Sequence, residues 1–309
     1  MKTVALLLAF LLALPVSACL WIKGTTKEGT STKTSRISPA RIINHELKTS
    51  IATDLREDGR KMEESLRGST SFDDRNDYAV ALMYLGRADE AVAILKTLES
   101  EKPGDYSIAA NLGTAYELSG QNEEARKWIQ EGIRRNPDSH FGTEWLHVAI
   151  LDAKIQLQSD PNYFDHHSVL NIDYRALETG AKVIQLGTEE HRLHDLTDAL
   201  RYQLIERLKF VKGKDPAVAS LLFDYAAIEA GTATLESAIS LLQLAGEYGY
   251  PAGRIDPLIA SYTRTIRFSI WKSRAYIIAF IGALVGAIIY AVRRRLILRR
   301  ENLALRNSF

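Results

Sequence analysis

Cysteine occurs once in 309 residues, at Cys19, so no disulfide can form within the chain. No Gly-rich phosphate loop, no Gly-x-Ser-x-Gly elbow and no His-Glu-x-x-His spacing is present, which removes the recognisable nucleotide-binding, serine-hydrolase and zinc-protease signatures. An excess of either charge is missing too, since 39 Lys and Arg stand against 38 Asp and Glu. The basic clusters lie at the two ends and no basic stripe interleaved with aromatics runs through the middle, so nucleic acid is not an expected partner. His191 and His194, three apart on an expected helix, are the nearest approach to a metal pair, with His166 and His167 as candidates to join them after folding. Without cysteine or a ligand-spaced motif, they read as surface or partly packed histidines. No catalytic residue, metal or cofactor is therefore expected.

What is present is repetition. Gly86 and Gly120, Ala91 and Ala125, and Pro103 and Pro137 each fall 34 residues apart, and Ala81 with Ala115 and Glu90 with Glu124 keep the same step. An ordinary pair of helical hairpins would show the periodicity but not these identities. In the second copy, Leu112, Gly113 and Tyr116 share one face of a first helix, where the glycine admits the neighbouring helix. Gly120 suits the left-handed residue that ends it. Glu123 and Glu124 then complement the positive end of a second helix, whose buried side carries Ala125, Ile129 and Gly132 until Pro137 stops it. The first copy runs in parallel from Tyr78, Ala79 and Leu82 through Ala91, Leu95 and Leu98.

This plan resembles the tetratricopeptide repeat (TPR), which implies an all-α, TPR-like α-solenoid of helical hairpins. The expected TPR region is 46–158, with repeats at about 72–105 and 106–139 and a partial third whose first helix carries Leu146, Ile150, Ala153 and Leu157. Asp160, Pro161 and Asn162 break the register, so 159–173 reads as an irregular insertion or a short strand at Val169, Leu170 and Ile172. Helical periodicity returns over about 174–186, 193–211 and 216–249, giving a degenerate TPR-like region at 174–262.

The ends carry membrane signals. Residues 1–18 form a candidate export signal, with Lys2, an apolar run over 4–14 and Pro15 before small residues. Val16, Ser17, Ala18 and Cys19 resemble the lipobox of bacterial lipoproteins, which implies acylation of Cys19; a plain signal sequence with an incidental cysteine is the alternative. Residues 19–45 are expected to be a flexible tether. Residues 275–292 contain no charge and are long enough to cross a bilayer, with Trp271, Tyr276 and Tyr290 as interfacial anchors and a basic tail at 293–309. Export of the N-terminal part would leave that tail in the cytoplasm and the main domain in the periplasm, arching over the inner membrane between its two anchors. Gly282 and Gly286 place small residues on one face of this C-terminal transmembrane helix, a pattern that supports helix packing and homo-oligomers.

The resemblance also implies a groove lined by the first helices. By register its exposed positions are Asn76, Val80, Met83, Ala110, Thr114, Glu117, Glu144 and Val148. The basic clamp that some family members use for a partner's C-terminal carboxylate is absent, which favours a protein or peptide segment held by apolar and amide contacts. The alternative is that several of these positions pack against the insertion and no groove is open. The expected function is a membrane-anchored, non-enzymatic adaptor; the competing one is an accessory subunit of a membrane complex acting through its span and tail. An enzyme would require a constellation that only folding could assemble.

Overall fold

The computed structural model describes residues 23–33, 39–172, 177 and 181–306. The expected leader at 1–18 and Cys19 lie outside the described residues, as does most of the segment 173–180. The chain opens with strands β1 (Lys23–Thr25) and β2 (Ser31–Lys33), then α1 (Pro39–Ala52) and α2 (Arg56–Leu66). An antiparallel array follows: α3 (Phe72–Tyr84), α4 (Ala88–Glu101), α5 (Tyr106–Leu118), α6 (Asn122–Arg135) and α7 (Glu144–Ser159). A short helix, α8 (Tyr163–His166), leads to strands β3 (Val183–Leu186) and β4 (Glu189–Arg192). The chain closes with α9 (Leu193–Phe210), α10 (Pro216–Thr232), α11 (Leu235–Glu247) and α12 (Ala252–Arg306).

The repeats fold as their periodicity requires. From α2 to α7, each helix packs on the next, burying Ala79, Leu82, Leu95, Leu98, Ile108, Leu112, Ala125 and Ile129 in one core. Burial of each large apolar side chain contributes about 1.5–3 kcal/mol. The first helix of each repeat ends on a glycine with positive φ, 77° at Gly86 and 79° at Gly120. The two turns make the same hydrogen bonds: Arg87 N–H to Leu82 O at 2.8 Å with Gly86 N–H to Met83 O at 3.0 Å, and Gln121 N–H to Tyr116 O at 2.9 Å with Gly120 N–H to Glu117 O at 3.0 Å. This pairing satisfies carbonyls that the helix end would otherwise orphan. Gly113 sets the approach of α5 and α6, since a Cβ there would lie 2.4 Å from Ile129 Cδ1. Arg135, half-buried at the end of α6, reaches back to Glu99 of the preceding repeat at 2.7 Å.

A second core lies beyond α7. That helix belongs to both: Leu151 packs with the repeats, while Leu146, Ile150 and Ala153 face α9 and α10. The α10–α11 pair buries Tyr225, Ala226, Ala238, Leu242 and Ala245, and α11 ends on Gly249 with the same two-bond turn, Tyr250 N–H to Ala245 O and Gly249 N–H to Gly246 O, both at 3.0 Å. Helix α1 crosses to this second unit and packs on α9 and α11.

Two local expectations are corrected, and one open alternative is decided. Residues 183–186 were expected to continue a helix but form β3, paired with β4 from Val183↔Arg192 to Leu186↔Glu189. Its two-residue turn begins with Gly187 at φ 60°, a hairpin geometry that a helix cannot contain. Val169, Leu170 and Ile172 are buried in an irregular segment and not a strand; the Val169 and Leu170 N–H groups donate to Ser220 Oγ and Asp224 Oδ2 of α10 at 2.9 and 3.1 Å. Within the expected tether, β1 and β2 form an antiparallel hairpin, and α1 begins at Pro39. Thr25 fixes the hairpin to α11, its N–H and hydroxyl donating to the Glu236 carboxylate at 2.9 and 2.8 Å.

Helix α12 is continuous over 55 residues, about 80 Å at 1.5 Å per residue. Its first turns pack on the second core through Ile255, Leu258, Ile259 and Tyr262. Beyond them lies an 18-residue window of mean hydropathy 2.4, none of it buried, long and apolar enough to cross a membrane.

Candidate functional site

The first helices of the repeats, α3 and α5, together with α7, line one concave side. A cavity of about 590 Å3 lies there, and Val80, Met83, Ala110, Thr114, Glu117 and Glu144 all border it. Six of the eight register positions are thus brought together. Asn76 instead accepts a hydrogen bond from Asn111 Nδ2 at 2.8 Å, joining α3 to α5, and Val148 packs against the repeat core.

The opposite wall is α9, which contributes Tyr202, Gln203, Glu206, Arg207, Lys209 and Phe210. The expected insertion at 159–173 does not line the cavity. Helix α9 is held by a buried charge network centred on Glu117. Its Oε1 accepts from Lys154 Nζ at 2.9 Å and from Arg207, and its Oε2 meets His147 Nε2 at 2.7 Å. The other nitrogen of His147 lies 3.3 Å from Glu144 Oε2, and Glu144 also binds His140. With a carboxylate on each ring nitrogen, His147 is suited to be a double donor, the charged form.

The electrostatics follow from this packing. Burial alone would raise the Glu117 carboxyl, but Arg207, His147 and Lys154 outweigh it and hold it well below the usual range. Burial likewise opposes the charged form of Glu144, yet His140 and His147 bring it down to about 2. For His147 burial acts downward, and Glu117 and Glu144 together win, raising it. His140 is raised by its hydrogen bond to Glu144. Gln203 Nε2 adds a neutral tie to Thr143 Oγ1 at 3.2 Å, and Tyr84 and Phe210 approach with ring centroids 5.7 Å apart.

One rim of the cavity is strained. His140 and Phe141 have φ of 49° and 58°, a left-handed conformation costing about 1–2 kcal/mol per residue without glycine. Phe141 is 87% exposed and its ring stands 5.5 Å from that of Tyr202. Sequence reasoning placed a helix at 193–211 but missed its position as the cavity wall, and it missed Lys154 and both network histidines. The available signal was Glu117 with Glu144, two charges on a face otherwise apolar or neutral.

The metal candidates do not converge. His191 lies on β4, not on a helix with His194, and packs on Trp145 with centroids 4.4 Å apart. His194 opens α9 and is exposed, while His167 stacks on Tyr163 at 4.6 Å. Among the described residues, no group of three or more His, Cys, Asp or Glu side chains is placed to hold a metal ion.

Residues 82–142, from within α3 to the turn before α7, match the family model described as tetratricopeptide repeat. The solenoid is TPR-like. Folds of this kind are protein–protein interaction scaffolds and generally not enzymes. No curated protein matches the chain. Among solved structures, it is similar to a tetratricopeptide repeat protein from Parabacteroides merdae ATCC 43184, at 14% identity over 72% of this chain and 98% of that one, with a TM-score of 0.29.

Proposed function

We propose that this protein is a membrane-anchored adaptor whose concave groove binds a protein or peptide partner on the periplasmic side of a bacterial inner membrane. The observation that carries the binding role is the cavity bordered by Val80, Met83, Ala110, Thr114, Glu117 and Glu144. Its lining sets apolar side chains such as Val80, Met83 and Phe210 beside the charged Glu206, Arg207 and Lys209, a combination that suits a peptide or helix carrying both apolar and polar groups. The unburied apolar window of α12 supports the anchor, and acylation of Cys19 would add a second, weaker one. In this arrangement 275–292 spans the bilayer and 293–309 lies in the cytoplasm. A photocrosslinking residue at Thr114 tests the groove in native membranes. Adducts should form there and not at Lys127, which is exposed on α6 away from the cavity; equal adducts at both positions would remove the groove from the reading.

The second reading is an accessory subunit of a membrane complex. Its supporting observation is the open face of α12, where a Cβ at Gly282 or Gly286 would meet nothing within 4 Å. Deleting 293–309 separates the two, because an adaptor should keep its partner and a subunit working through the tail should not.

A further inference from the structure

We propose that the exposed face of α12 immediately ahead of its apolar stretch is a binding surface for anionic phospholipid headgroups. The proposal rests on α12 being a membrane span. Arg264, Arg267, Trp271 and Arg274 recur at i, i+3, i+7 and i+10, which places them along one stripe of a helix with 3.6 residues per turn. Phe268 and Lys272 flank the stripe. The opposite side of the same turns is the packed one: Tyr262 and Ile266 lie against Ala230, Leu235 and Ala238, and Ser269 is buried. The stripe therefore faces away from the domain, and all four cations are exposed.

These cations have no counterion on their own helix. Between Asp256 and Glu301 the helix carries no carboxylate, so the i±3 and i±4 pairings that normally neutralise a helical Arg or Lys are missing. Among the described residues, no ion pair or hydrogen bond engages Arg264, Arg267, Lys272 or Arg274. Two large aromatics share the face, Phe268 at 59% and Trp271 at 64% exposure, with ring centroids 6.0 Å apart. A soluble acidic partner would satisfy the charges and leave the rings wet. A headgroup layer supplies phosphate for the cations and the upper acyl boundary for the rings.

The axial spacing agrees. Counting back from Ala275 at 1.5 Å per residue, Arg274, Lys272 and Trp271 fall within about 6 Å of the hydrocarbon edge, inside the interfacial layer. Arg267 and Arg264 lie about 12 and 16 Å back, where their long side chains extend toward the phosphates. The face is also continuous with the span, so insertion of 275–292 brings it to the surface without any rearrangement. Lys and Arg on the translocated side run against the usual charge bias of membrane proteins, and a headgroup site gives them a reason to be there.

The test uses the full chain reconstituted in vesicles of mixed phosphatidylcholine and phosphatidylglycerol, with spin-labelled forms of each lipid reporting contact with the protein. Labelled phosphatidylglycerol should be preferred by about threefold or more, consistent with several cations near an anionic surface. The combined variant Arg264→Gln, Arg267→Gln, Lys272→Gln and Arg274→Gln should lose most of that preference, whereas Arg293→Gln with Arg294→Gln and Arg295→Gln should retain a larger share. An unchanged preference in the first variant overturns the proposal. So does abolition of the preference by inorganic phosphate but not by sodium chloride of equal ionic strength, which would make free phosphate the ligand. Alkaline carbonate extraction separates this from the underlying reading: release of the wild type defeats the span and the surface together, while retention of both proteins with equal lipid preference defeats the surface alone.

Discussion

Replacing Glu117 by Ala should destabilise the protein by about 3–5 kcal/mol, because breaking a buried charge pair leaves the remaining charge uncompensated. Three cations converge on this carboxylate, and they respond differently. His147 can shed its proton and Lys154 retains some exposure, but Arg207 has only 10% of its side chain exposed and stays charged. Its Nε already lacks a partner, so loss of Glu117 strands a guanidinium between α5 and α9. Because only this one of the three cations is left with no means of relaxing, the lower end of the range, about 3 kcal/mol, is the appropriate figure and corresponds to a fall in Tm of about 6–12 °C for a domain of this size. Thermal unfolding of the full chain in detergent, followed by near-ultraviolet circular dichroism, reads it directly. The double variant Glu117→Met with Arg207→Met should recover most of the loss, since replacing both partners by apolar groups is often neutral.

The same network fixes a pH dependence. Glu117 and Glu144 are held below their ordinary 4.5, so their contribution is complete above that value and is lost as pH falls through their folded values. His140 and His147 are raised above 6.5, so theirs is complete below 6.5 and is lost as pH rises through their folded values. The gap in Tm between wild type and Glu117→Ala should be widest between pH 4.5 and 6.5 and narrow on either side. A cost below about 1 kcal/mol, or a double variant no better than the single one, would refute the reasoning.

Three further outcomes are expected. Glu229 is buried on α10, its Oε2 has no partner, and burial pushes its carboxyl up to about 7. Ionising it costs about 3 kcal/mol, a penalty that grows as pH rises from 4.5 to 7, so Glu229→Gln should raise Tm at pH 8 and leave it nearly unchanged at pH 4. Gly113→Val should lower stability by about 1–3 kcal/mol by forcing α5 away from Ile129; a Tm equal to wild type would show that the two helices part freely. Gly282→Leu with Gly286→Leu should weaken self-association in a membrane two-hybrid assay if the open face of α12 packs on a second copy, and an unchanged signal would remove that role.

The repeats were legible because their information is local. A glycine in the turn, acidic residues in the next helix's first turn and a proline past its end act within one hairpin, and Gly86, Gly120, Pro103 and Pro137 mark boundaries that the helices obey. That register also puts six of its eight positions on the border of one cavity. Helix α9 was legible as a helix but its place was not, since Arg207 meets Glu117 across 90 residues and no periodicity encodes such a pairing. The β3–β4 hairpin was missed for a different reason. Val183, Ile184 and Leu186 satisfy a helical face as well as a strand, and the deciding signal is the two-residue Gly187–Thr188 turn. The β1–β2 hairpin was hidden in a polar stretch whose order depends on the distant carboxylate of Glu236.

Helix α12 has no joint between the solenoid and its apolar stretch, and its single proline, Pro257, falls near its beginning. A flexible linker would let the domain tumble above a bilayer, sampling every direction. On the proposed reading of α12 as a span, a helix that runs unbroken from the second core into the apolar window would work instead as an axle: a rotation of the span about its own axis would turn the whole solenoid by the same angle. The bearing of the groove along the membrane surface would then be decided by which face of the span its neighbours select.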